Sequence, residues 1–451
     1  MSAKPLWKHQ QQTLAFFDKV PSGFDFSDPG TGKTRAQIES FANCKTRKRM
    51  LVVAPKTLMQ SAWGDDIEQY APRLTVSYAY AGRTRLEAFK LNTDVVIINT
   101  DGVKELTDKS FAPYLKQFTH LVVDESNAFK NPQTKRSKAL EKVSKTFTHK
   151  RLLTGTPTPN TVMELFHPAK IIDGGKMLGT SYTALRNKVQ QPTQIGPKPE
   201  HIRWDDRPGA AIAIREILAP VTIRHDFETV MKHVPANHRS TKHFTLSKTA
   251  WKRYEEMRQT AMLQAEDVNA VHAAALRTKL LQIASGAVYS GKEDGHYVVI
   301  DHGRYELIAE LVEERQHSVV FFNWKHQRDL LAEQFTKRDI SFAIIDGNVN
   351  KDERIRIVDD YQAGKYQTLL LHPRTGAHGL TLTRGTTTII SSPIYEADML
   401  KQAIHRVYRG DQKEVTNTIL IEAKGTVEAK VYARLDEKFG RMMDLLDLLK
   451  E

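Results

Sequence analysis

Residues 27–34 read "SDPGTGKT". Gly30, Gly32, Lys33 and Thr34 keep the spacing of a phosphate-binding loop, G-x-x-x-x-G-K-[ST], with Ser27 at the first glycine position. Each residue type has a physical task. Glycines let backbone N–H groups approach phosphate oxygens, and a helix opening after the loop aims its positive end at the anion. Thr31 lies within the loop. Lys33 is placed to reach the β- and γ-phosphates of ATP, and the Thr34 hydroxyl to hold Mg²⁺. Ser27 costs little as long as that position needs no positive φ. Alone, the stretch is either a nucleotide site or a turn that ends by chance in Gly-Lys-Thr.

A second stretch favours the nucleotide site. "LVVDE" (121–125) is an apolar run ending in Asp124 and Glu125, about 90 residues downstream. Carboxylates at the C-terminal end of a parallel strand project into the ligand crevice. Asp124 can hold Mg²⁺ there, and Glu125 can polarise an attacking water. A third stretch, "QAIHRVYRGDQ" (402–412), reads as helix. On a helix Arg406 and Arg409 share a face, with Gln402 one turn before Arg406. Paired arginines can stabilise charge on a γ-phosphate; a basic surface helix accounts for them equally well.

Short β-rich runs fall in two clusters. The first holds "RMLVVAP" (49–55), "DVVIINT" (94–100), "HLVVDE" (120–125) and "KRLLTGTP" (150–157). The second holds "SVVFFNW" (318–324), "FAIIDG" (342–347), "QTLLLH" (367–372), "TTIISSP" (387–393) and "TNTILIE" (416–422). Near-continuous Val/Ile/Leu suits strands buried on both faces of a parallel sheet. Helical patterns alternate with them, which predicts an α/β chain of two blocks. Residues 161–316 differ, being helical or irregular apart from "VTIRH" and "HYVVID", with a loop-like Pro/Gly-rich piece, "QQPTQIGPKPEHIRWDDRPGA". The C-terminal stretch reads as an amphipathic helix.

The 451 residues carry a formal charge of +13, which favours a polyanionic partner. The single cysteine, Cys44, excludes an intramolecular disulfide and fits a reducing compartment. No apolar run approaches a membrane span, and "MSAKPLWKHQQQ" has no signal-peptide core. A soluble cytoplasmic protein with no membrane partner is expected.

In order along the chain, these stretches resemble the motifs of superfamily 2 helicase-like motors, and within them the Snf2 (SWI2/SNF2) DNA translocases. The likeness covers nearly the whole chain. "PLWKHQ" (5–10) resembles the Q-motif segment, which makes Gln10 the adenine reader. "VVAPKTLMQSAW" (52–63) resembles motif Ia and "VVIINTDGV" motif Ib. "DESNAFKN" (124–131) is similar to the Snf2 form of motif II, with Asn127 where His is usual. "RLLTGTPTPN" (151–160) is similar to motif III. In the second block "VVFFNW" resembles motif IV. "RTGAHGLTLTRG" (374–385) resembles motif V, with Thr381 where Asn is usual, and "QAIHRVYRGDQ" resembles motif VI. "GTVEAKVYARL" (425–435) is similar to the closing G-T-x-E-E-x-I helix.

The resemblance implies two tandem RecA-like parallel-sheet lobes with helical Snf2-type insertions. Lobe 1 is expected over 1–160, its helical or irregular insertion over 161–238, an insertion on lobe 2 over 239–300, lobe 2 over 301–425 and a bracing helix over 426–451. It implies ATP and Mg²⁺ as cofactors. Lys33, Asp124, Glu125, Arg406 and Arg409 are then catalytic. Gln10, Gly30, Thr31, Gly32, Lys33, Thr34, Gly379 and Gln402 bind ATP, and Thr34 and Asp124 hold the metal. Lys56, Thr57, Thr154, Arg374 and Thr383 are carried over as double-stranded DNA contacts. The family implies a monomeric motor, a stand-alone bacterial or phage protein or one directed by a separate targeting protein, in the cytoplasm, at the nucleoid or in a host. Two other readings compete with a duplex translocase. One is a strand-separating DNA or RNA helicase. The other is a nucleic-acid clamp with a decayed ATPase, motivated by Ser27, Asn127 and Thr381.

Overall fold

A computed structural model describes residues 5–158, 160–195, 199, 201–264, 270–289, 296–376 and 380–448. The chain divides into two compact units, one reaching from the N-terminus to Lys232 together with the C-terminal segment from Lys438, and the other covering His233–Glu437.

The first unit is built on β1 (Gly23–Asp25), β2 (Arg49–Ala54), β3 (Val76–Ala79), β4 (Val95–Asn99), β5 (Phe118–Val123), β6 (His149–Leu153) and, beyond a hairpin of β7 (Gln190–Gln194) and β8 (Ile202–Asp206), β9 (Thr222–Ile223). The sheet order is β3-β4-β2-β5-β6-β1-β9, and every pairing is parallel. Alternate residues of β2 show how it is covered. Leu51 and Val53 join a core with Phe89, Leu140 and Phe166. Met50, Val52 and Ala54 join another with Ile38, Phe41 and Trp63. Successive side chains leave opposite faces of a strand, so both faces are buried.

The second unit contains β10 (Asn237–Phe244), a small antiparallel pair of β11 (Ala287–Tyr289) and β12 (Tyr297–Val299), then β13 (Ser318–Phe321), β14 (Phe342–Ile345), β15 (Thr368–Leu371), β16 (Thr387–Ile390) and β17 (Thr416–Ala423). Its six-stranded sheet runs β10-β17-β16-β13-β15-β14, again all parallel. Val320, Leu370, Ile389 and Ile419 pack on Tyr305, Leu331 and Phe335. The fold class is therefore α/β with two parallel-sheet lobes, as expected.

Three elements depart from the sequence reading. The Pro/Gly-rich piece holds the β7/β8 hairpin, where Pro192 faces Trp204. A two-stranded pair has only edges, so a missing N–H at Pro192 is tolerated; Arg186 stacks on the Trp204 ring at 4.0 Å. β10, mostly exposed and polar, lacks the apolar signature but pairs with β17 over eight residues. The helix expected over 402–412 spans only Ala397–Ile404. Arg406 and Arg409 lie beyond it, where the chain goes over to tighter turns: Arg406 N bonds to Ala403 O (3.2 Å) and Val407 N to Ile404 O (3.3 Å), and Gln412 Nε2 donates to the Val407 carbonyl (3.2 Å). Among the described residues no helix is long and apolar enough to cross a membrane.

Candidate ATP site and its supports

The loop 27–32 leaves β1 at the carboxyl edge of the first sheet and opens the helix Lys33–Asn43. Gly30 and Gly32 have φ of 84° and 77°, a region that favours glycine. A Cβ on Gly32 would come within 2.3 Å of Gln10 Nε2. Gln10 is buried and ties the loop to the preceding helix. Its Oε1 accepts from Trp7 N (2.9 Å), and its Nε2 donates to the Gly32 carbonyl (3.2 Å). His9 Nε2 contacts the Thr31 carbonyl at 2.8 Å. Burial lowers the pKa of His9, and also that of His225 beside it. The Thr31 hydroxyl donates to the Asp28 carbonyl (2.8 Å), and Lys33 Nζ donates to the carbonyls of Ser27 (2.6 Å) and Asp28 (3.0 Å). Thr34 is half-buried in the first helical turn.

Ser27 is not among the positive-φ residues. Its Oγ accepts from His225 N (3.0 Å), and Asp28 Oδ2 accepts from Phe227 N (3.1 Å). Thus Ser27, the departure from the usual loop pattern, and Asp28 beside it both bind the segment after β9. Sequence reading missed this tie; "VTIRH" was visible as a β-like run, but not its neighbour.

Asp124 and Glu125 follow β5. Trp63 Nε1 donates to Asp124 Oδ2 at 2.9 Å, and Glu125 N to Asp124 Oδ1 at 3.0 Å. Burial is the largest influence on Asp124 and raises its pKa; the Trp63 bond and the Lys33 charge act the other way. Glu125 is half-buried and left-handed, with φ 49°. A non-glycine residue held there stores strain of a kind that clusters at functional sites. Asn127 Nδ2 donates to the Thr156 carbonyl (2.6 Å) and hydroxyl (2.8 Å), joining the segment after β5 to that after β6.

In the second lobe both arginines turn onto one carbonyl. Arg406 Nη1 and Arg409 Nη1 each donate to Leu380 O at 3.2 Å, and Arg409 also reaches Thr381 Oγ1 at 3.0 Å. So the two share a direction, although no helix imposes it. Gln402 is buried, and its carbonyl accepts from Arg406 Nε (3.2 Å). A residue that sequence reading did not single out, Gln412, also donates to the carbonyls of Thr383 (3.0 Å) and Gly385 (2.9 Å). Gly379 lies outside the described residues.

The DNA-contact candidates differ in placement. Lys56 and Arg374 are exposed, with Arg374 3.5 Å from Glu396. Thr57 and Thr383 are half-buried. Thr154 is 3% exposed and its Oγ1 accepts from Thr156 N (3.2 Å), so packing withdraws its side chain from solvent.

Residues 9–287 match the SNF2-related domain. The chain belongs to the SNF2-related family. Residues 303–411 match the Helicase conserved C-terminal domain. The protein is thus a Snf2-family ATPase core, an ATP-using, ATP-hydrolysing enzyme of superfamily 2. It is 27% identical over 444 residues to "Putative protein p41" of Acyrthosiphon pisum secondary endosymbiont phage 1, with 93% of each chain covered. It is 24% identical over 456 residues to "Putative ATP-dependent helicase/translocase YwqA" of Bacillus subtilis, covering 96% of this chain and 48% of that one. It therefore spans nearly all of the phage protein but about half of the Bacillus one. The "Sulfolobus solfataricus SWI2/SNF2 ATPase core in complex with dsDNA" aligns with 98% of this chain and 93% of that chain, at 20% identity and a TM-score of 0.45.

Proposed function

We propose that this Snf2-family core couples ATP hydrolysis to movement along double-stranded DNA. The observation that carries the chemistry is the first-lobe constellation, in which the loop after β1 presents Lys33 and the end of β5, one strand beyond β6 in the sheet, presents Asp124, already fixed by Trp63. Thr34 and Asp124 form an oxygen-only donor set, which suits Mg²⁺. Both Asp124 oxygens accept a hydrogen bond, so Asp124 holds the ion best through water. The ion, when bound, neutralises phosphate charge. Glu125 orients the attacking water, and Gln10 reads the adenine. Arg406 and Arg409 are the groups of the second lobe suited to stabilising developing phosphate charge.

Duplex DNA as the track rests on the family and on the charge of +13. Contacts to phosphate carry no sequence information, which suits a motor that must run over any sequence. Lys56, Thr57, Arg374 and Thr383 are the proposed backbone contacts. The test is triplex displacement beside fork unwinding. Displacement of a third strand without unwinding supports the translocase, whereas unwinding of a fork supports a strand-separating helicase.

A further inference from the structure

At the opposite end of the first sheet from the phosphate loop, Cys44, His120 and His149 come together. One potential ligand atom from each lies within 4.8 Å of the others. β5 and β6 bring the histidines into register as direct partners, so both rings leave the same face. The rings stack at 4.1 Å with an interplanar angle of 14°. Cys44 directly follows the helix Lys33–Asn43, whose Phe41 meets the His120 ring edge-on at 5.0 Å.

The hydrogen bonds leave one nitrogen of each ring over. His120 Nδ1 is engaged by Thr119 Oγ1 (2.8 Å) and His149 Nδ1 by Thr148 Oγ1 (2.9 Å). His120 is 1% exposed, yet its Nε2 is buried with no hydrogen-bond partner. An unsatisfied buried nitrogen is costly, and a bound ion is one of the few things that explains one. A threonine on Nδ1 is also the kind of outer contact that fixes the ring of a metal-bound histidine.

We infer that Cys44, His120 and His149 form a three-ligand site for a thiophilic metal ion, Zn²⁺. One thiolate and two imidazoles suit zinc, with water completing a tetrahedron. Tetrahedral ligation needs donors about 3.3–3.8 Å apart, so the ligand atoms would draw together by up to about 1.5 Å. Arg47 and Arg151 are the cationic neighbours. With one thiolate against a divalent ion and these arginines, the site binds more weakly than an all-cysteine cluster. The ion takes no part in phosphate chemistry. It pins the C-terminal end of the helix that begins at Lys33 to β5 and β6, whose far ends lead into Asp124 and Thr154. That helix has 11 residues, so the ion and the phosphate loop sit about 16 Å apart along it.

The test uses the full chain, stripped with chelator and titrated with Co²⁺ and then Zn²⁺. The expected result is one Co²⁺ per chain with a thiolate-to-cobalt charge-transfer band, displaced by Zn²⁺. Cys44→Ser, at a half-buried position, abolishes the band, and His149→Gln weakens binding at least tenfold. Zn²⁺ raises the Tm of the wild type but not of Cys44→Ser; circular dichroism of the metal-free variant confirms folding. Absence of the band in the wild type, or equal Co²⁺ binding by Cys44→Ser, would overturn the assignment. So would retention of Cu⁺ alone.

Discussion

Trp63 Nε1 and Asp124 Oδ2 are joined by a 2.9 Å hydrogen bond, and the indole is fully buried. The bond links the segment after β2 to the carboxylate after β5. Trp63→Phe keeps an aromatic core residue and removes the donor. A hydrogen bond to a charged group contributes about 1.5–3 kcal/mol, so stability falls by that order. The carboxylate also loses its orientation. The Mg²⁺ concentration for half-maximal ATP turnover rises about tenfold or more. Thermal melting and an Mg²⁺ titration of turnover check both.

Asp124 gives a trade between stability and activity with a definite sign. Its folded-state pKa is raised by burial. The folded carboxyl therefore holds its proton more tightly than the unfolded one. Its contribution favours folding at acid pH and is lost as pH rises from the unfolded value through the folded one. Asp124→Asn keeps an oxygen for Trp63 and removes the buried charge. Its Tm at neutral pH is higher than wild type, the gain shrinks on acidification, and ATP turnover is abolished. A lower Tm at neutral pH would contradict this.

Glu428 explains the closing Gly-Thr-x-Glu stretch. It is completely buried and takes Arg304 Nη2 on both oxygens, at 2.7 and 2.9 Å, while Oε2 also accepts from Ala423 N at 2.8 Å. Removing one partner of a buried pair leaves the other charge uncompensated, at about 3–5 kcal/mol. Glu428→Gln lowers second-lobe stability by that order in denaturant unfolding, and Arg304→Met with Glu428→Leu recovers part of it.

Much of this was legible in advance. Continuous apolar runs such as "RMLVVAP" and "TNTILIE" announce parallel strands because both faces are buried. Gly30 and Gly32 announce the loop because φ near 80° favours glycine there. β10 was not legible, because its Asn237–Phe244 sequence is an exposed polar edge held by backbone pairing to β17. The helix end at Ile404 was not legible either, because the residues after it keep helical spacing in the sequence but form tighter i→i−3 turns. Ser27, Asn127 and Thr381 looked like signs of decay. Each has a partner instead: His225 N, Thr156 and Arg409.

Arg406 and Arg409 differ in how much packing they carry. Arg406 is 9% exposed and Arg409 more open. Both Arg406→Lys and Arg409→Lys lower ATP turnover by about 10³-fold, the scale of an arginine acting on transition-state charge. Nucleotide affinity, read by a fluorescent ATP analogue, stays within severalfold. Only Arg406→Lys also lowers the Tm appreciably. Turnover near wild type in either variant would remove that arginine from the mechanism.

The most direct measurement is steady-state ATP turnover of the full chain with no nucleic acid, single-stranded DNA, linear duplex DNA and RNA, with Glu125→Gln as the inactive control. The account predicts strong stimulation by duplex DNA, weaker stimulation by the other ligands and no turnover in Glu125→Gln. Turnover indifferent to DNA, or stimulated by RNA alone, would contradict it.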